Sequence, residues 1–403
     1  MNAEFEKTSN KKESPELDQG FGLSALGAPI RIGYDGKRAA NNLTGLGNYS
    51  RSLIAHLAAQ FPVNQYLVYT PKIKEKIRNF PLFSTKNIQL KLRDKGAGKL
   101  LWRSLGIKKQ ILQDKIDLFH GLSHEIPFGI DQIGIKSIVT MHDLIFLRMP
   151  QYYKLIDRII YKFKSKYACR HADRIIAISE RTKQDIVEIY GTDPFKIEVV
   201  YQSCDDRFKT LKSDSEKLSI KEKYQLPDCY LLYVGTIEAR KNLVALINAL
   251  PKVGDAIPLV VIGRSTNYRK EVEKAILRNG LEKRVIFMDS VPFYDLPEIY
   301  QLASCFILPS YYEGFGIPII EALYSGIPVI AATGSCLEEA GGPHSLYVPP
   351  DDVEALAKAI MLVLTDEQVA LNMRKQGLSY VQRFNNELVN AQLMEVYLKT
   401  LAQ

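Results

Sequence analysis

Apolar and polar positions along this chain follow two rhythms that take turns. Short apolar runs recur as A-P-I-R-I-G-Y-D near residue 30, Q-Y-L-V-Y-T at 65–70, D-L-F-H at 117–120, K-S-I-V-T-M-H-D at 136–143, D-R-I-I-A-I-S at 173–179 and I-E-V-V-Y at 197–201. Helical spacing separates several of them. In Y-S-R-S-L-I-A-H-L-A-A-Q-F, for instance, Leu53, Ile54, Leu57 and Ala58 share one side of a helix. The loop G-K-R-A-A-N-N-L-T-G-L-G-N-Y lies between the first strand and that helix. A second series begins at C-Y-L-L-Y-V-G, with a helix from Glu238, the strand I-P-L-V-V-I-G, and a helix from Tyr268 that Gly280 ends. V-I-F-M-D, S-C-F-I-L-P-S, P-V-I-A-A and S-L-Y-V-P continue it. Strands alternating with helices predict βαβ units and mostly parallel sheets.

The pattern predicts an α/β chain of two doubly wound, Rossmann-like domains in tandem, facing each other across a cleft. Residues 1–28 are polar and charged and read as a flexible tail. The first domain covers 29–205, a charged and poorly periodic linker 206–227, and the second domain 228–383. A last helix at 384–403 is free to pack on either domain or to cross back to the first. Ligands of such sheets sit beyond the carboxyl ends of the strands, which points to the cleft.

Composition narrows the class. The 403 residues suffice for two cores, and 46% hydrophobic with 24% charged residues is ordinary for a soluble globular protein. No apolar run reaches the roughly eighteen residues of a membrane span, and the N-terminus has no apolar signal core. Cys169, Cys204, Cys229, Cys305 and Cys336 are scattered and read as free thiols. The expected location is therefore the cytoplasm. A net charge of +8 calls for an anionic partner: nucleic acid, membrane or a phosphorylated substrate. The basic residues form no solid block, which argues against nucleic acid. They thicken around Trp102 and again at 148–167, where Lys154, Arg158, Lys162, Lys164 and Lys166 interleave with Tyr152, Tyr153, Tyr161, Phe163 and Tyr167. Leu155, Ile159 and Phe163 recur there at helical spacing. An amphipathic core helix with a solvated basic face is the preferred reading, and an interfacial helix on anionic lipid the other.

Candidate chemistry concentrates at strand ends. In P-S-Y-Y-E-G-F-G-I-P-I-I-E-A, Glu313 and Glu321 flank a Gly-Phe-Gly-Ile-Pro turn in which Pro318 suits a helix start. Amides at such a start favour an anion, and Glu321 can accept hydroxyls. A tight turn with a surface Glu explains the same residues equally well. Arg240 and Lys241 fall at a helix start, where cations are disfavoured, so an outside anion such as a diphosphate would repay them. Two solvated surface charges are the plain alternative. His142 closes an apolar strand at the crevice, where an imidazole can hydrogen-bond a ligand hydroxyl, with a purely structural histidine as the plain alternative. His120 and His124 sit on another strand-end loop and are expected to line the acceptor side. Gly45 and Gly47 can let backbone approach a ligand phosphate, with a flexible loop as the plain alternative. The Gly45–Gly47 loop lacks the third glycine of a dinucleotide fingerprint. There is no Asp-x-Asp metal–diphosphate pair, no P-loop and no nucleophile elbow.

Taken together and in order, these residues resemble glycosyltransferase family 4, retaining enzymes of the GT-B fold. The resemblance runs from about residue 29 to the C-terminus. It rests on T-G-L-G-N-Y, His142, S-E-R-T-K-Q-D-I, V-G-T-I-E-A-R-K-N, Glu313 to Glu321, and S-G-I-P-V-I-A. It implies that Glu313 contacts the donor sugar, that the amides of Gly314, Phe315, Gly316 and Ile317 hold sugar and diphosphate, and that Glu321 binds the ribose. Lys241 matches the family's phosphate-binding lysine, His142 the histidine beside the donor sugar, and backbone near Ser290 and Val291 reads the base. Two departures stand out. Thr236 occupies a position where the family often has Arg, which leaves Arg240 to supply the second charge. Y-Q-S-C-D-D-R-F at 201–208 replaces the usual N-G-V-D. The V-G-T-I-E-A-R-K-N variant is similar to mannosyltransferases of O-antigen and capsule assembly, which implies a GDP-mannose donor. A glycan or lipid-linked glycan would be the acceptor, and the anionic membrane a peripheral partner. No metal ion or other cofactor and no nucleic acid is expected. Two other functions remain open at this point: a GT-B sugar-nucleotide epimerase, and a non-catalytic nucleotide-sugar-binding protein.

Overall fold

The computed structural model describes residues 29–93, 102–254 and 257–403. The tail at 1–28 lies outside the described residues. The first sheet contains β1 (Arg31–Asp35), β2 (Gln65–Thr70), β3 (Ile88–Leu92), β4 (Leu118–Gly121), β5 (Lys136–Met141), β6 (Arg174–Ala177) and β7 (Ile197–Val199). Their order is β3-β2-β1-β4-β5-β6-β7. The second contains β8 (Leu231–Val234), β9 (Leu259–Ile262), β10 (Val285–Met288), β11 (Cys305–Leu308), β12 (Val329–Ala332) and β13 (Leu346–Val348), ordered β10-β9-β8-β11-β12-β13. Neighbouring strands pair in parallel in both sheets, such as Tyr34 opposite His120 and Phe306 opposite Val329. The strand order therefore reverses beside β1 in one sheet and beside β8 in the other. Each reversal opens a crevice at the strands' carboxyl ends.

Burial explains why these apolar runs became strands. Ile32, Tyr34, Tyr66, Val68, Leu118 and Ile138 pack on one face of the first sheet, against Leu53, Ile54, Leu57 and Ala58 of the helix Gly45–Gln60. The C-terminal helix Asn386–Leu401 completes this core with Leu393, Met394 and Tyr397. The chain thus crosses back to its first domain. The opposite face is covered by Trp102, Ile107, Ile111, Ala168, Cys169 and Ile186. Buried on both faces, the central strands read as continuous apolar runs, as parallel strands do.

Several elements differ from the sequence expectation. The loop after β1 contains a short helix, Lys37–Asn41, and the long helix starts at Gly45. The edge strand β3 has an I-Q-L-K-L alternation too short to stand out. The stretch 206–227 contains the helix Asp214–Tyr224, closed by a capping box in which Ser213 and Glu216 bond each other's backbone amides. That S-x-x-E was the available signal.

The 148–167 stretch is helical, as Leu155–His171, but the preferred core reading is overturned. Only Ser165, Ala168 and Cys169 are buried. Leu155, Ile156, Ile159 and Phe163 are 65%, 72%, 59% and 62% exposed. The helix docks through its C-terminal half, so its first two turns have no sheet beneath them. No helix among the described residues is long and apolar enough to cross a membrane.

Candidate active site

The loops after β8 and β11, the strands flanking the second sheet's reversal, meet at one carboxylate. Tyr311 N donates to the Arg240 carbonyl at 2.9 Å, which ties the two loops together. Glu313 then lies between both cations. Its Oε2 is 2.9 Å from Arg240 Nη1 and its Oε1 is 2.6 Å from Lys241 Nζ. Arg240 also donates to Glu238 Oε1 at 2.6 Å and to the Tyr312 carbonyl. Burial alone would raise the Glu313 carboxyl, but Lys241 and Arg240 override it and hold it at about 2. The anion that offsets the Arg240–Lys241 pair is thus internal, where the sequence called for an outside one. The pair also sits on a short turn, Ala239–Lys241, ahead of the helix that begins at Leu243.

The following loop turns over the cleft. Gly314 is pressed against the first domain, where a Cβ would come within 2.3 Å of the His142 carbonyl. Phe315 is buried, with its ring 5.4 Å from Tyr201. Gly316, at φ 120°, precedes the helix Ile317–Tyr324, whose second residue is Pro318. The amides of Gly314, Phe315 and Gly316 make no hydrogen bond among the described residues. Cys336 Sγ supports the loop from beneath by donating to the carbonyls of Glu313 and Phe315. Glu321 is buried one turn into the helix and accepts from Tyr300 Oη at 2.9 Å. Burial raises its carboxyl to about 8. Val291 is half-buried against the second core beyond β10.

The first domain faces this loop with His142. The imidazole is buried and held neutral, at about 3, by desolvation. Its Nε2 donates to the Leu122 carbonyl at 2.9 Å, and its Nδ1 accepts from Gln202 Nε2 at 3.3 Å. Both nitrogens are therefore engaged inside the chain, so a sugar hydroxyl would have to displace Gln202. The expectation that His120 lines the cleft fails. Its ring nitrogens bond Tyr397 Oη at 2.7 Å and Thr140 Oγ1 at 2.8 Å in the core. His124 stays at the cleft, and its Nε2 accepts from the His142 amide at 3.0 Å. Gly45 and Gly47 separate in role. A Cβ at Gly47 would lie 1.8 Å from the Asn42 carbonyl, so that glycine serves local packing. Gly45 is open, with nothing within 4 Å of the position of a Cβ.

The sequence did not single out an adjoining cavity of about 180 Å³, walled by Arg38, His124, Asp143, Tyr153, Tyr161 and Lys164. Ser123 Oγ, also in its wall, is buried without a partner, and the Arg38 guanidinium pairs with no carboxylate among the described residues. Burial raises the Asp143 carboxyl, and the charges of Arg240 and Glu313 both reach it. A Cβ at Gly314 would lie 3.2 Å from Asp143 Cβ, so Asp143 joins the wall of this cavity to the Glu313 loop, while Tyr161 and Lys164 belong to the exposed basic–aromatic helix. The available signal was Asp143 itself, a carboxylate directly after the strand-end histidine.

Comparison with known proteins agrees with this two-sided arrangement. Residues 214–379 match the family profile "Glycosyl transferases group 1", and residues 43–208 match "Glycosyltransferase Family 4". The O-antigen chain mannosyltransferase B of Escherichia coli is 28% identical over 376 residues, spanning 88% of this chain and 96% of that protein. The O-antigen chain mannosyltransferase RfbU of Salmonella typhimurium is 30% identical over 239 residues, 59% of this chain and 62% of that one. Anabaena HepE, solved with UDP and glucose, superposes with a TM-score of 0.72 at 18% identity, covering 92% of this chain and 100% of that one. Sucrose-phosphate synthase of Thermosynechococcus elongatus gives 0.74 at 22%, covering 93% and 99%.

Proposed function

The chain belongs to the group 1 and family 4 glycosyltransferases and is a hexosyltransferase of the GT-B fold; from this premise we propose that it transfers mannose from GDP-mannose to a glycan acceptor, with retention and without a metal ion. The observation that carries this reading is the buried Glu313 clamped by Arg240 and Lys241, on a loop whose next residue touches His142. Two cations and a set of unbonded amides at one turn suit a leaving diphosphate, whose charge grows in the transition state. Glu313, relieved of its cations by that diphosphate, accepts from hydroxyls of the donor sugar. Glu321 takes the ribose hydroxyls, and backbone near Val291 takes the base. Gly45 lies open at the start of its helix and lets the ligand approach. The relatives named as mannosyltransferases favour mannose.

The acceptor sugar lies in the cavity beside Asp143, with Tyr153 and Tyr161 as apolar walls and Ser123 and Arg38 as hydroxyl partners. Its hydroxyl oxygen attacks the anomeric carbon from the face the diphosphate leaves. As the anomeric C–O bond to phosphate breaks and the new C–O bond forms, a phosphate oxygen takes the hydroxyl proton. Closing of the cleft keeps water out of this step. The basic–aromatic helix, with Leu155, Ile156, Ile159 and Phe163 exposed beside Lys154, Arg158 and Lys162, fits an anionic lipid surface. This favours a lipid-linked glycan presented at the cytoplasmic face of the membrane.

The test is a thermal-shift panel of nucleotide sugars followed by product analysis with and without acceptor glycan. Selective stabilisation by GDP-mannose and mannosyl transfer are expected, with Lys241→Ala lowering transfer about a hundredfold. Isomerised sugar nucleotide formed without acceptor would instead identify an epimerase. Neither binding nor turnover would point to a non-catalytic protein. Full transfer by Lys241→Ala with unchanged donor affinity would overturn the proposed site.

A further inference from the structure

The helix Glu180–Tyr190 belongs to the first domain, yet its start is bonded to the second. Ser179 caps the helix by accepting from Thr182 N at 3.0 Å, and its hydroxyl donates across the cleft to the Gly314 carbonyl at 2.8 Å. The next two amides, of Glu180 and Arg181, donate to the two carboxylate oxygens of Glu339 at 2.6 and 2.9 Å. Glu339 comes from the second domain, on the short helix Leu337–Gly341, and its own carbonyl is anchored by Tyr380 Oη at 2.7 Å. Alongside, Arg181 Nε donates to Tyr312 Oη at 2.6 Å, and that hydroxyl donates to Asp185 Oδ2 at 2.5 Å. A helix start leaves its first amides without intrahelical partners. Here two of those partners come from the opposite domain. A carboxylate is the group this end of a helix prefers, and its hydrogen bonds are charge-assisted.

We propose that Glu339 and Ser179 are positioning residues for sugar transfer: by docking this helix start onto the second domain they hold the Glu313–Gly316 loop in its working orientation, so the site is complete only when the cleft is shut. The loop is gripped at the Gly314 carbonyl, between the residue that carries the charge clamp and the amides that face the cleft. The contacts at the helix start are polar, and their groups can return to water when the cleft opens; the Phe315 ring against Tyr201 adds one apolar contact beside them. Such hydrogen bonds exchange with water at small net cost, so the joint can be made and broken in each cycle. An apolar seam of the same extent would stay closed.

The catalytic part of this inference rests on the proposed sugar transfer, so the experiment has an arm that does not. Glu339→Gln keeps the size of the side chain but turns an N–H donor toward the helix amides. Glu338→Gln, at the exposed neighbour, is the control. Small-angle scattering without ligand should give a larger radius of gyration for Glu339→Gln than for the wild type or the control. In steady-state assays Glu339→Gln should lower kcat at least tenfold while calorimetric affinity for GDP-mannose stays within twofold. Should the variant fail to fold, hydrogen exchange of the wild type decides: GDP-mannose should slow the amides of Glu180 and Arg181. Wild-type kcat and radius of gyration in Glu339→Gln, or exchange at those amides indifferent to the donor, would overturn the inference. A wild type that binds no nucleotide sugar would sink the functional reading, while the scattering comparison would still judge the joint.

Discussion

Glu313→Gln is the sharpest single perturbation of the site. It removes the only carboxylate that contacts both Arg240 and Lys241 among the described residues, where all three side chains are nearly buried. The magnitude follows from linkage. Burial pushes this carboxyl up, the two cations pull it down, and the result is about 2 against an ordinary 4.5. At about 1.4 kcal/mol per pH unit, the pair of cations holds about 3 kcal/mol of stability at pH 7 through this group. Because the folded value is depressed, this stability is present above pH 4.5 and fades as the pH falls toward 2. At pH 3 about 1.4 kcal/mol remains. The cost of breaking a buried ion pair, about 3–5 kcal/mol, is of the same size. Urea unfolding followed by far-UV circular dichroism is the assay. Fluorescence of the one tryptophan, Trp102, would report the first domain's core instead. The variant should lose about 3 kcal/mol at pH 7 and close on the wild type by pH 3. GDP should stabilise it more than the wild type, since a diphosphate restores the missing anion. A loss below about 1 kcal/mol at pH 7, or a difference that does not shrink with pH, would refute the reasoning.

Other outcomes follow from the same geometry. Glu321 has its carboxyl raised by burial to about 8, so the stability it contributes is full below its unfolded value near 4.5 and is lost as pH rises through 8. Glu321→Gln should therefore flatten the stability curve between about pH 4.5 and 8, and parallel curves for the two proteins across that window would contradict this. Gly47→Ala should cost about 1–3 kcal/mol because its Cβ meets the Asn42 carbonyl. Gly45→Ala should stay within about 0.5 kcal/mol in chemical denaturation. Gly314→Ala drives a Cβ toward the His142 carbonyl, so transfer should fall at least tenfold while GDP binding, measured by calorimetry, persists. Neutralising Lys154, Arg158 and Lys162 together should abolish flotation with anionic vesicles, and unchanged flotation would remove the membrane from the scheme.

Legibility in the sequence was uneven for reasons that individual residues show. Leu53, Ile54, Leu57 and Ala58 formed one buried helix face as their spacing required. The helix Leu155–His171 has the same kind of periodicity, yet its apolar face is exposed. Periodicity reports that a face exists and says nothing about what covers it. The helix Asp214–Tyr224 escaped notice because its charged sequence has little apolar period, although its capping box was in plain view. His120 and His142 look alike as strand-end histidines. Tyr397, 277 residues further along the chain, makes the first a core residue.

By itself the sequence determined the alternation of strands and helices, the two parallel sheets and the loops that carry the chemistry. These follow from short-range terms: apolar period, turn residues and helix starts. It also supplied motifs specific enough to identify the family. Only the tertiary structure decided what each charge does. The anion expected for Arg240 and Lys241 proved to be Glu313, seventy-two residues beyond Lys241. The cavity at Asp143 and the Glu339 joint likewise bring together groups from separate loops. Electrostatic partners are chosen by distance in space and by loss of water, and neither is written in the spacing of residues along the chain.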